Sequence, residues 1–429
     1  TMLYMRLANS FYFKQIYFGL GAFFIAYFIL FAFIIYPYQT YIHPSPEHIN
    51  TLITEEFLIL GFKIHASHLK WFLLIYGKWS YALFYILAEL WGSAMIFVMF
   101  WQFSNQIIST QQAKRFYPMI NLMGSAGTFI AGLFIEYFTK HQSDSDKDTD
   151  IFLIQKLLSV TTISTLLLLM LFIYMNKIVL AKDYYVDALK AAQLKEKLSF
   201  LKSLKIIFSS RYLGYIVILV LCYGMTINLL EGPWKAAIRE LYPTTNSYLH
   251  FMGRVNQCNG IAAIIFSLIG VTLLNRYSWF VTALVTPVLL CTTGTIFYFA
   301  LVFKDTTNLF IHSLLNMDVL FTTVILGGII NAFAKSSKFG FFDSTKEMTY
   351  IPISTELKSK GKAVVDVLGY RFAKSFSAFI QSLLFILFPF TTYSTITPFL
   401  MIIFIVIAII WILDVRVLNK EYLRYLDKS

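Results

Sequence analysis

The sequence predicts an all-α integral membrane protein, and three observations carry that prediction. Of its 429 residues, 58% are hydrophobic and only 14% are charged, and the mean hydropathy is +0.67. A soluble domain keeps roughly a quarter of its residues charged, so this chain could not cover its own surface in water. The apolar residues are gathered into runs of about 20, the length that a helix needs to cross a hydrocarbon core about 30 Å thick. The basic residues behind the formal net charge of +12 stand mostly in the stretches between those runs. That is the placement of a membrane topology, not of a nucleic-acid-binding face.

Ten segments qualify in order along the chain: 16–36, 80–103, 116–138, 152–175, 212–232, 251–274, 279–303, 318–335, 364–388 and 396–415. Several carry small residues, as at Gly124 to Gly127 and at Gly327 and Gly328, which let membrane helices approach closely. The 43 Phe and 27 Tyr suit lipid contact and interfacial belts.

Orientation follows from the Lys and Arg counts of the connections. Residues 177–211 hold Lys177, Lys182, Lys190, Lys195, Lys197, Lys202, Lys205 and Arg211, which predicts a cytoplasmic connection. Lys114, Arg115, Arg276, the stretch 335–362 and the tail with Arg416, Lys420, Arg424 and Lys428 then fall on the same side. The opposite connections, 37–75, 139–150, 240–250, 304–317 and 389–395, are poorer in Lys and Arg, and one is acidic from Asp144 to Asp150. The chain therefore divides into an N-terminal helical half (1–176), the basic connection (177–211) and a C-terminal six-helix half (212–429). Four helices precede the connection and six follow it. Transporters of the major-facilitator type join two six-helix halves by such a loop, so the expectation is a major-facilitator-like bundle of twelve helices in the complete protein, two of them absent at the N-terminal end, and the bland alternative is a genuine ten-helix protein.

Ionisable side chains inside a bilayer cost on the order of 2.5–3.5 kcal/mol each on insertion scales, so each needs a partner or a pathway. Glu89 stands ten residues into the second segment. Glu231, Lys235 and Arg239 recur every four residues and share one helix face, with Asn228 about one turn earlier. Between them, Gly232 and Pro233 are expected to break the helix and expose carbonyls to a cavity. The bland reading is a salt-bridge ladder that stiffens the outer end. Lys335 and Lys338 end the eighth segment, where they could snorkel to the cytoplasmic face, and Arg371 and Lys374 lie inside the ninth. Several cations facing one cavity call for an anionic visitor, and Arg and Lys are the side chains that bind phosphate.

Cys222, Cys258 and Cys291 fall in apolar runs with no CxxC pair, and the seven histidines fall in connections with no third ligand near His65 and His68. No phosphate-binding loop, nucleophile elbow or kinase signature is present, so neither a cofactor nor an enzymatic activity is expected.

The stretches Ala88-Glu-Leu-Trp-Gly92, Phe100-Trp-Gln-Phe-Ser-Asn105, Ala113-Lys-Arg-Phe-Tyr-Pro118 and Asn228-Leu-Leu-Glu-Gly-Pro-Trp-Lys235 resemble the nucleotide transporter (ATP/ADP translocase) family of plastids and obligate intracellular bacteria. So do Glu240-Leu-Tyr-Pro243, Phe342-Asp-Ser-Thr-Lys-Glu-Met-Thr-Tyr-Ile-Pro352 and Lys360 to Gly369, in order along nearly the whole chain. The resemblance implies a twelve-helix fold and exchange of ATP for ADP across a bacterial inner membrane. It also implies that the family's membrane glutamates correspond to Glu89 and Glu231. One departure is local. Where the family is glycine-rich, this chain reads Gly369-Tyr-Arg-Phe-Ala-Lys-Ser-Phe-Ser377, and the bulk of Tyr370 and Phe376 is expected to narrow a cavity or alter helix packing.

The substrate site expected from residues and resemblance together is Glu89, Asn228, Glu231, Lys235, Arg239, Lys335, Lys338, Arg371 and Lys374. Lys235, Arg239, Arg371 and Lys374 would neutralise phosphates, and the two glutamates would pair with cations in the empty state or contact base and ribose. The expected partners are ATP, ADP and the bilayer, the expected state a monomer. The alternatives are transport of GTP, CTP or UTP, proton-coupled nucleotide uptake, or an inactive truncated member of the family.

Overall fold

The computed structural model describes residues 11–59, 62–108, 110–140, 147–179, 210–353, 365, 369–389 and 391–427. Most of the basic connection and most of the stretch from Lys360 to Leu368 lie outside them. The chain forms two compact units, Thr1–Met119 with Phe138–Glu196, and Ile120–Tyr137 with Lys197–Ser429.

The first unit holds α1 (Phe13–Leu30, extended by a π-helical turn Phe31–Ile35), then α2 (Gln39–Ile42) and α3 (Pro46–Thr54). A short antiparallel hairpin follows, β1 (Glu56–Ile59) with β2 (Phe62–His65), and it is the one exception to an otherwise helical chain among the described residues. Then come α4 (Lys70–Gly77), α5 (Trp79–Trp91, followed by a π-helical stretch Gly92–Phe100), α6 (Trp101–Ile107), α7 (Thr110–Thr139) and α8 (Lys147–Tyr174). Aromatic faces hold α1 to α8. Tyr17 stacks on Phe172 with ring centroids 4.0 Å apart, and Phe24, Phe28 and Phe31 are buried in the same cluster.

The second unit takes residues 120–137 of α7 and then α9 (Arg211–Leu241), α10 (Thr245–Arg276), α11 (Trp279–Val302), α12 (Lys304–Leu315) and α13 (Val319–Ser337). A π-helical turn (Lys338–Phe342) leads into α14 (Asp343–Thr349), and α15 (Tyr370–Leu387) and α16 (Tyr393–Leu426) complete it. Helix α9 is central: it packs against α13, α15 and α16. Tyr223 on α9 stacks on Phe342 at 4.4 Å and meets Trp411 of α16 edge-on.

Eight described helices are long and apolar enough to cross a membrane, or nine if the bent pair Ala66–Gly77 and Trp79–Ile96 makes one span. The expected segment at 80–103 is the second arm of that pair, set off by a 74° bend. The expected segment at 364–388 contains α15, which is not among those spans because Arg371, Lys374 and Gln381 lower its hydropathy. Its buried residues, Ala373, Ser377 and Gln381, form one stripe. The Ser377 hydroxyl and the Gln381 amide both reach backbone carbonyls of α9.

The expected break at Gly232 and Pro233 does not occur: α9 runs unbroken from Arg211 to Leu241. Proline has no N–H, so the carbonyl of Leu229 loses its helical donor. The hydroxyl of Tyr298 on α11 donates to that carbonyl at 2.9 Å. One residue earlier, the Gln381 amide donates to the Asn228 carbonyl at 3.4 Å, while the Tyr393 hydroxyl donates to Gln381 Oε1 at 3.1 Å. Gly232 makes room for this arrangement, since a Cβ there would collide with Gln381 and Tyr393. The next residue, Trp234, donates its indole N–H to Val324 of α13 at 3.0 Å and lies so close to Gly327 that a side chain there would strike the indole. Neighbouring helices thus satisfy what the proline frees, and the helix has no reason to open.

Close backbone approach also joins α7 to α10. A Cβ on Gly260 would stand 2.8 Å from the backbone of Phe129 and Ser125. Backbone cannot swing aside as a flexible side chain can. Gly260→Val should therefore destabilise the protein by about 1–3 kcal/mol, read as a lowered melting temperature in detergent. Tyr298→Phe should cost about 1–3 kcal/mol by stranding the Leu229 carbonyl. The same change should cost less in a Pro233→Ala background, where the backbone N–H returns; equal costs in the two backgrounds would contradict the repair.

Candidate functional site

Because α9 stays helical past Pro233, Glu231 and Lys235 emerge one turn apart on the same face. The Lys235 ammonium donates to Glu231 Oε2 at 3.1 Å. The other carboxylate oxygen, Oε1, accepts from Asn331 Nδ2 of α13 at 3.5 Å, and Asn331 Oδ1 accepts from Asn259 Nδ2 of α10 at 3.4 Å. A line of polar side chains therefore crosses three helices, and both asparagines in it are buried. Beside it lies a cavity of about 20 Å³ lined by Glu231, Trp234, Phe297, Gly327 and Asn331, enough for about one water molecule.

Two further cations act on the Glu231 carboxylate through their charges, Lys335 of α13 and Lys374 of α15. The side chain of Glu231 is 24% exposed and that of Lys235 is 45% exposed. Solvent screens such a pair, and its contribution to stability is no more than about 1 kcal/mol. The ladder of the bland sequence reading exists, then, but stiffening the helix is a small part of what it can do. The larger consequence is electrostatic, because the charges of three lysines act on one carboxylate.

The remaining expected residues divide. The Asn228 amide donates to its own helix at the Gly224 carbonyl, 2.7 Å away. Arg239, in the last turn of α9, holds its guanidinium 5.6 Å from the ring centre of Tyr248. Lys338 lies over two rings, Phe339 at 5.7 Å and Tyr370 at 5.1 Å. Arg371 is half-buried in the first turn of α15. Glu89 stands exposed in α5 and belongs to the first unit.

The two bulky replacements behave differently from one another. Tyr370 packs against Gly224 and beside Tyr223, and carries Lys338 on its face. Phe376 does not narrow a cavity: it is exposed and stacks between Phe372 and Phe379 on the outer face of α15.

Sequence reasoning missed Asn259, Asn331, Gln381 and Tyr298. An amide within the apolar run from Gly327 to Phe333 was the available signal for Asn331. It missed a second polar cluster as well. Glu136 of α7 accepts from Arg254 Nε at 3.1 Å and from Gln257 Nε2 at 2.6 Å, with His250 Nε2 at 4.0 Å, the three partners all on α10. His250 and His312 accordingly sit in helices α10 and α12, not in connections. Among the described residues no group of His, Cys, Asp and Glu could hold a metal ion.

Comparison with known proteins adds an independent finding. The model of the TLC ATP/ADP transporter family matches residues 1–422. The chain is similar to ADP,ATP carrier protein 3 of Rickettsia bellii, with 42% identity over 437 aligned residues covering 98% of this chain and 84% of that protein. ADP,ATP carrier protein 3 of Rickettsia prowazekii is 41% identical over 436 residues, covering 99% and 84%. ADP,ATP carrier protein 1 of the same organism is 37% identical over 430 residues, covering 100% and 84%. No solved structure matches.

Proposed function

The chain belongs to the TLC ATP/ADP transporter family, and from that premise we propose that it exchanges ATP for ADP across a bacterial inner membrane by alternating access. It acts as a multi-pass monomer in the bilayer, as a transporter and not as an enzyme. The observation that carries the reading is the setting of Glu231: one carboxylate bonded to Lys235 and acted on by Lys335 and Lys374. In the empty state it occupies the place that a phosphate group takes when a nucleotide binds.

Replacement of a carboxylate by a polyphosphate is chemically reasonable at such a site. Lysines bind phosphate as point charges, and Arg371 adds a planar donor set near Lys374 in sequence. When Lys235 turns to phosphate, Asn331 still holds Glu231 through Oε1, so the displaced carboxylate is not stranded. A ligand shifts a conformational equilibrium only through a difference in affinity between the two states. Exchanging one ion pair for a set of phosphate contacts supplies such a difference. Lys338, Arg239 and Asn228 border this group of charges and contribute to the field that attracts the polyanion.

Counter-flow of labelled ATP into vesicles preloaded with ADP tests the proposal. Lys374→Ala should lower the exchange rate at subsaturating ATP by about tenfold, the scale of one charge-assisted contact. Lys420→Ala, at an exposed position on α16, should leave it unchanged. Equal losses from the two substitutions, or wild-type protein that supports no counter-flow, would sink the assignment.

A further inference from the structure

The first unit carries a second and much larger cavity, of about 670 Å³. Its walls include Tyr36, Gln39, His43, Lys78 and Asp150, all within that unit. Three span ends meet there. Tyr36 is the first residue past the span Phe13–Ile35, Lys78 sits at the bend between Ala66–Gly77 and Trp79–Ile96, and Asp150 is in the first turn of α8. By the asymmetry of Lys and Arg this is the outer end of the spans.

The surroundings of the cavity are those of a membrane–water interface. The helical segment Ala66–Gly77 is bent by 74° from the span that follows it. It exposes Phe72, Ile75 and Tyr76, side chains of the kind that an interfacial helix sets into the headgroup and acyl boundary. Tyr38, Tyr41 and Trp79 are exposed nearby in sequence, Tyr41 by 87%. Exposed Tyr and Trp gather at the headgroup level of a bilayer. Leu74, from the same bent segment, lines the cavity.

The lining carries one charge of each sign. Lys78 holds its ammonium 5.7 Å from the Tyr81 ring centre. The carboxylate of Asp150 acts by charge on the hydroxyls of Tyr36 and Tyr81. His43 Nε2 is 2.7 Å from the Ser80 hydroxyl, a contact that fixes the ring in the cavity wall.

We propose that this cavity binds the headgroup of a zwitterionic phospholipid bearing a primary ammonium, of the phosphatidylethanolamine type, in the outer leaflet. The phosphate pairs with Lys78, and the ammonium pairs with Asp150 and donates a hydrogen bond to it. A choline headgroup has the same two charges but no N–H, so it cannot hydrogen-bond to Asp150. An anionic phosphatidylglycerol offers Asp150 no cation.

Native mass spectrometry of the purified full chain tests this with three lipids of identical acyl chains: phosphatidylethanolamine, phosphatidylcholine and phosphatidylglycerol. Phosphatidylethanolamine should be retained about tenfold more tightly than either of the others, the scale of one charge-assisted hydrogen bond. Asp150→Asn should abolish the preference, Lys78→Gln should weaken retention of all three lipids, and Asp148→Asn, the neighbouring carboxylate outside the lining, should leave both intact. Equal retention of the ethanolamine and choline lipids by the wild-type protein would overturn the proposal without reference to any variant. Retention of soluble phosphoethanolamine as strong as that of the lipid would also overturn it, because the occupant would then be a free solute. Nucleotide exchange is not the readout, so failure here leaves the transport proposal standing.

Discussion

A polar group inside a bilayer has no water to turn to, and the second unit is arranged around that constraint. Its clearest expression is the carbonyl of Leu229. Pro233 removes the N–H that would have met it, and an isolated carbonyl in a lipid-embedded bundle is costly. Tyr298 supplies the missing donor from α11, and Gln381 supports the neighbouring carbonyl from α15. Because both donors come from other helices, α9 can carry a proline and stay straight enough to present Glu231 and Lys235 on one face. Gly232 and Gly327 are the spaces this requires, one for Gln381 and Tyr393, the other for Trp234.

The same constraint shapes the charges. Glu231 would be expensive alone, and it is instead divided between an ammonium and an amide, with Lys335 and Lys374 within electrostatic reach. Elsewhere the unit handles cations by other means: Lys338 and Arg239 lie over tyrosine rings, and Arg254 pairs with Glu136.

The first unit solves a different problem, that of meeting the interface. Its spans end in aromatic side chains and a sharply bent helix, and the charges there, Lys78 and Asp150, line a cavity large enough for a small molecule.

Much of this was legible in the residues. Runs of apolar residues located eight of the spans closely, because hydrocarbon thickness sets one length for every crossing helix. Glu231 and Lys235 were found as a pair since helical spacing alone puts them on one face. The sequence also marked Lys335 and Lys374 as out of place in lipid. It misjudged Pro233, since a proline's local effect is a lost hydrogen bond and the replacement came from a residue 65 positions away. It passed over Asn331 and Asn259, whose significance lies in which carboxylate and which amide they meet across helices. It left open whether Phe376 narrows a cavity or alters helix packing, because spacing along a helix does not say which side faces a neighbour. What the sequence by itself determined is therefore every property governed by the solvent or by contacts within one turn: the medium, the spans and the i,i+4 pair. Which distant donor rescues which carbonyl, and which of many cations surround one carboxylate, were decided only by tertiary structure, because those depend on how helices far apart in the chain are set against each other.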